Sequence, residues 1–76
     1  MANLKYTVRT MDPTGIFEIN PEDAYHATDL DDAKQHLLDL ANNGKAAVIS
    51  CHDDDGRCVG TIYRDENHQW SKTGNV

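Results

Sequence analysis

Residues 45–63, KAAVISCHDDDGRCVGTIY, decide the fold of this chain. Two runs rich in β-branched residues flank Asp53-Asp54-Asp55-Gly56, a polar cluster ending in glycine that reads as a hairpin turn. An even loop centred on that cluster sets Cys51 opposite Cys58, Ile49 opposite Gly60 and Ala47 opposite Ile62, all on one side of the ribbon. The other side carries Val48, Ser50, His52, Arg57, Val59, Thr61 and Tyr63. One face is small and apolar and the other mixed, the pattern of an antiparallel sheet with a helix on one side.

The chain before this hairpin supplies the helix and at least one more strand. Leu4 to Arg9 alternates, with Leu4, Tyr6 and Val8 on one face and Lys5, Thr7 and Arg9 on the other, which is a half-buried strand. Met11-Asp12-Pro13-Thr14-Gly15 has Asp, Pro and Gly where a turn places them. Ile16–Ile19 then suits a short return strand. Asn20-Pro21-Glu22-Asp23 carries helix-opening signals, but the better helix start close behind favours a bend, followed by a short strand near Tyr25. The main helix runs from about Asp29 to Ala41, with Thr28 or Asp29 as its cap and Asp31 and Asp32 in the first turn. Leu30, Ala33, Leu37, Leu40 and Ala41 form its buried stripe, while Asp32, Gln35 and Asp39 face solvent. Asn42-Asn43-Gly44 closes it, Gly44 taking the left-handed conformation.

After the central hairpin, Asp65-Glu66-Asn67-His68 turns the chain into a last strand at Gln69–Lys72. An even loop there places Trp70 opposite Tyr63 on the face away from the cysteines, whereas an odd loop swings Trp70 inward. Thr73 to Val76 reads as a loose tail. The expected architecture is one α+β domain over residues 1–76, in two layers: an antiparallel sheet of about four strands with one main helix on one face.

Thirteen acidic against seven basic residues give a formal charge of −6. Direct binding to nucleic acid is excluded as an expectation, because that affinity comes largely from Lys and Arg neutralising phosphates. The first ten residues, MANLKYTVRT, have no apolar run of signal-peptide length, and no segment is long and apolar enough to span a bilayer. The expectation is a cytoplasmic protein whose two cysteines are reduced thiols.

No catalytic constellation is assembled. Cys51 and His52 are strand neighbours and point to opposite faces, so they cannot act on each other. Nothing in the spacing of His26, His36 and His68 brings them to either residue. The Cys-x6-Cys spacing of Cys51 and Cys58 matches no familiar zinc pattern, and two small thiols packing beneath the helix account for it. Asp53-Asp54-Asp55-Gly56 is no EF-hand loop, since Arg57 and Cys58 stand where that loop has a ligand and a glycine. The expectation is a non-enzymatic protein without metal or cofactor.

Two surfaces suit a protein partner. One is an acidic array spread over several patches, Asp32 and Asp39 on the helix, Asp53, Asp54 and Asp55, and Asp65 and Glu66, which suits a basic partner through steering and specificity. The other is an apolar patch of Val48, Val59, Tyr63 and Trp70 on the sheet face away from the helix, unless the N-terminal segment or the loop from Gly15 to Ile19 covers it.

In size, acidity and the order of YTVRT, ATDLDDAKQHLLDLANNG and AAVISCHDDDGRCVGTIYRDENHQW, the chain resembles the small single-domain proteins of phages and mobile elements, anti-CRISPR proteins among them. That resemblance implies a non-enzymatic inhibitor that blocks a nucleic-acid-handling host complex. It carries over no individual residue. Two other readings stay open: an accessory module that forms a homodimer through the face bearing Tyr63 and Trp70, and a metal or redox protein using Cys51 and Cys58.

Overall fold

The computed structural model describes residues 4–74. Its order is β1 (Lys5–Met11), a single 3-10 turn (Pro21–Asp23), β2 (Tyr25–Ala27), α1 (Leu30–Asn42), β3 (Ala46–His52), β4 (Cys58–Arg64) and β5 (Trp70–Gly74). The strands make one antiparallel sheet in the order β2-β1-β3-β4-β5. With α1 packed on one face it is the expected two-layer α+β fold, with five strands rather than about four. The short strand near Tyr25 is present and pairs with β1, Tyr25 opposite Val8 and Ala27 opposite Tyr6. The first strand of the chain thus lies inside the sheet. No helix among the described residues is long and apolar enough to cross a membrane.

Three assignments of secondary structure need correction. Ile16–Ile19 is not a strand and keeps only one bridge, Met11 to Glu18. Pro21–Asp23 is a helical turn rather than a bend, entered through Asn20 in the left-handed region at φ 50°, which Asn tolerates better than most residues. Thr73 and Gly74 belong to β5, where Thr61 and Thr73 share a 2.7 Å hydroxyl hydrogen bond. The other two residues assigned to a tail, Asn75 and Val76, lie outside the described residues.

Helix α1 begins on Asp29, whose carboxylate accepts from the Asp32 backbone N–H at 2.8 Å. Asp32 reaches back to the Thr28 N–H at 3.0 Å, so two amides at the open end are satisfied reciprocally. At the other end Gly44 N–H donates to Ala41 O and Lys45 N–H to Leu40 O, both at 3.0 Å, with Gly44 at φ 77°. These two bonds are the Schellman arrangement, which ends the helix where the sequence asks it to. Ala33 and Leu37 are fully buried against Val8, Ile49, Cys51 and Ile62, and Leu30 and Leu40 pack at the margin. Ala41, expected in the buried stripe, is exposed. Asp32, expected to face solvent, accepts from the Tyr25 hydroxyl at 2.8 Å and ties β2 to the helix. The Tyr25 ring also stacks on His36, centroids 4.1 Å apart.

The hairpin register differs from an even loop. Asp53 N–H donates to Arg57 O and Gly56 N–H to Asp53 O, a three-residue loop whose last member, Gly56, is left-handed at φ 82°. A bulge follows, because His52 pairs with Cys58 but Cys51 pairs with Gly60. The extra residue is Val59, and it restores the face alternation that the odd loop had reversed. Ile49 therefore meets Ile62, and Cys51 meets Gly60 rather than Cys58. Cys51 is buried and Cys58 exposed, so the thiols do not pack together under the helix. Gly74 serves the same bulge: a Cβ there would overlap the Val59 carbonyl oxygen.

Candidate functional site

Three turns at the ends of the strands are built on one device, an Asp that accepts backbone N–H groups of its own turn. Asp53 takes Asp55 N–H at 3.0 Å and Arg57 N–H at 2.9 Å. Asp65 takes Asn67 N–H and Gln69 N–H, both at 2.9 Å, and the Ser71 hydroxyl at 3.1 Å. Its loop is also odd, with His68 left-handed at φ 61°. Asp12 takes the Thr14 hydroxyl at 2.7 Å and the Ile16 and Phe17 N–H groups, each at 3.3 Å. At Asp12 and Asp65 these bonds favour the ionised acid. The Thr14 hydroxyl chiefly holds the Asp12 carboxyl below its ordinary 3.8, and the Gln69 N–H does the same for Asp65.

The sequence-expected acidic array therefore divides. Asp32, Asp53 and Asp65 are engaged inside the fold, while Asp39, Asp54, Asp55 and Glu66 make no side-chain hydrogen bond among the described residues and are exposed. It is spread over several patches, with Asp53–Asp55 and Asp65–Glu66 at opposite ends of β4.

The expected apolar patch does not form on one face. The odd second loop places Trp70 opposite Arg64 and Tyr63 opposite Ser71, so Trp70 swings to the helix side and packs against the core, as does Val59 at its bulge. Val48 and Tyr63 remain on the open face. Their neighbours there are hydrophilic: Thr7, Ser50, Thr61 and Thr73 stand in one row across four strands. Arg9 lies over this face, donating to Ser50 Oγ at 3.0 Å and to both oxygens of Glu18 at 3.0 and 3.1 Å. Tyr63 and Trp70 therefore lie on opposite faces of the sheet, and Gly15–Ile19 leaves Ile16, Phe17 and Ile19 exposed.

Those side chains are the feature that the sequence reading missed. Ile16 is 71% exposed, Phe17 67% and Ile19 42%. They sit on a loop whose backbone is pinned along its length. Asp12 N–H donates to Phe17 O at 2.8 Å, Gly15 N–H to Asp12 O at 2.9 Å and Ile19 N–H to Thr10 O at 2.9 Å. The Arg9–Glu18 ion pair secures its base. The signal was visible as three large apolar residues in four positions behind a Pro-Thr-Gly turn, without the alternation a half-buried strand requires.

The thiols offer little chemistry together. Burial raises the Cys51 thiol above its ordinary value and so disfavours the reactive thiolate. No group of three or more His, Cys, Asp or Glu among the described residues is arranged to hold a metal ion. No protein-family model, curated protein or solved structure matches the chain.

Proposed function

We propose that this chain is a small non-enzymatic protein-binding domain that docks through the Ile16–Phe17 loop onto a partner with an apolar pocket in a basic surface. The observation that carries the reading is the exposure of Ile16 and Phe17 on a backbone already held by hydrogen bonds. Exposed apolar side chains on a slack loop would collapse or lose much of their binding energy to ordering. On a pinned loop that ordering cost is met during folding, so burial in a partner counts more fully toward affinity. Burying each side chain is worth about 1.5–3 kcal/mol.

The net charge of −6 supports a basic partner. The carboxylates of Asp39, Asp54, Asp55 and Glu66, which make no hydrogen bond among the described residues, supply long-range attraction and so act on association more than on residence time. With the size and layout shared with phage-encoded inhibitors, this extends to a finer reading: an inhibitor of the anti-CRISPR type acting on a nucleic-acid-handling protein.

Affinity capture on the immobilised protein at low and then high salt supplies the partner, and surface plasmon resonance then tests the contact. Phe17→Ala should speed dissociation by about tenfold, equivalent to ~1.4 kcal/mol, and leave the thermal melt unchanged. Asp54→Asn with Asp55→Asn should slow association and flatten its salt dependence. Parent-like dissociation by both Phe17→Ala and Ile16→Ser would remove the loop from the interface and overturn the reading.

A further inference from the structure

A different surface has the opposite charge. Of the seven basic residues in the chain, Lys34, Arg64 and Lys72 gather around its one tryptophan. Lys34 Nζ lies 5.1 Å from the Trp70 ring centroid, and the Arg64 guanidinium carbon lies 5.2 Å from it. Lys72 lines, with Leu30, Lys34, Ile62, Trp70 and Ser71, a groove of about 260 Å³ between the start of α1 and β5. Leu30, Ile62 and the indole give this groove an apolar floor, and the cations give it a positive rim.

None of the three cations is in an ion pair, for the one pair among the described residues is Arg9–Glu18. The carboxylates nearest in sequence form no ion pair with them. Asp65 lies within the electrostatic reach of Arg64, but its oxygens are taken up by the turn it closes, and Asp32, two residues before Lys34, accepts from Thr28 and Tyr25.

Beside the groove runs a free sheet edge, because β5 has no neighbour beyond it among the described residues. The Asp65–Gln69 hydrogen bond sets the phase of the β4–β5 ladder. In the alternating antiparallel pattern, Ser71 and Thr73 then turn their backbone groups toward β4. Trp70 and Lys72 turn theirs outward, and these two residues also send their side chains to the groove side. A strand added at this edge would find backbone donors and acceptors beside a cationic groove, with alternate side chains of the newcomer directed into it.

We propose that β5 and this groove bind an extended acidic segment of another protein, which adds as an edge strand and sets alternate carboxylates against Lys34, Arg64 and Lys72. Charge decides against the other occupants. A second copy pairing β5 to β5 would bring Lys72 and its neighbouring cations against their like, on chains that already repel at −6 each. Nucleic acid would gain from three cations, but with a charge on every nucleotide it meets the field of the acidic chain more strongly than a segment of a few carboxylates, and it has no strand backbone to pair with the β5 edge. A lysine on an edge strand also discourages unwanted pairing. That role needs Lys72 alone and does not bring Lys34 from the helix and Arg64 from β4 to the same ring.

The test uses the full chain, labelled with nitrogen-15, and a capped peptide of about six alternating glutamates and valines, long enough to lie along β5. Titration should shift the amides of Trp70 and Lys72 and the Trp70 indole N–H, and protect the two outward amides from exchange. Lys72→Glu, at an exposed position, should weaken the peptide at least about tenfold without altering the far-ultraviolet circular dichroism. Lys34→Glu, on the helix, should do the same, and Phe17→Ala should leave the peptide affinity unchanged. The proposal is overturned if the glutamate peptide leaves β5 unshifted, or if a lysine–valine peptide binds equally well. It is also overturned if inorganic phosphate alone reproduces the shifts, or if light scattering finds dimers that Lys72→Glu abolishes.

Discussion

Asp12, Asp29, Asp32, Asp53 and Asp65 each place a carboxylate on backbone N–H groups that the strands and helix leave unpaired. The acidity of the chain is thus partly a structural material, spent on turns and a cap. Asp12, Asp32 and Asp65 have carboxyls held below their ordinary 3.8 in the fold. For Asp32 the main cause is the Thr28 backbone N–H, with the Tyr25 hydroxyl second. An acid whose folded value is depressed contributes stability that is present above its unfolded value and lost as pH falls through the folded one. The midpoint of urea unfolding should therefore hold nearly level from neutral pH to about pH 5 and fall below about pH 4. Asp65→Asn and Asp12→Asn should each lower the midpoint at neutral pH and make the acid limb shallower. An acid limb as steep in the double variant as in the parent would place the responsible acids elsewhere.

At the scale of elements, α1 is where one face answers for the core. Leu37 is fully buried and Asp39 exposed, so Leu37→Ala should cost about 2–5 kcal/mol and Asp39→Ala close to nothing in thermal or urea melts. Equal effects would mean that the helix packs on another face. This helix was legible in the sequence because its cap, stripe and terminal glycine all act locally and agree with one another. The hairpins were less so. A left-handed residue at the end of each loop, Gly56 in one and His68 in the other, makes both loops odd, and histidine carries no such signature. The bulge at Val59 has no local marker either. It depends on Gly74, fifteen residues away across the β4–β5 ladder, leaving room for the Val59 carbonyl. The candidate loop was misread for a related reason: Ile16, Phe17 and Ile19 look like strand residues, and the hydrogen bonds of Asp12, with Ile19 N–H to Thr10 O and the Arg9–Glu18 ion pair, hold their backbone in a loop instead.

Across the whole molecule, the net charge conceals a division. Acidic side chains line the turns and the helix start, while Lys34, Arg64 and Lys72 gather around Trp70 and its groove. Strand order sets a second property of the whole. β1 comes first in the chain but lies between β2 and β3, and Arg9 reaches across to Ser50, 41 residues later. The meander of β3, β4 and β5 closes through two three-residue loops and needs no distant partner, so it can form early; β1 has to wait. Val8→Ala should therefore act mainly by speeding unfolding, while Ile62→Val in the meander should slow folding, a contrast stopped-flow chevrons will read. The opposite pattern would make β1 part of the nucleus. At a synthesis rate of ~5–20 residues per second, β1 leaves the ribosome roughly 2–8 s ahead of its main mate. During that interval an alternating strand with Tyr6 and Val8 on one face has at most the short β2 beside it and leaves its β3 edge open, and in those seconds a newborn copy is most open to pairing with the wrong chain.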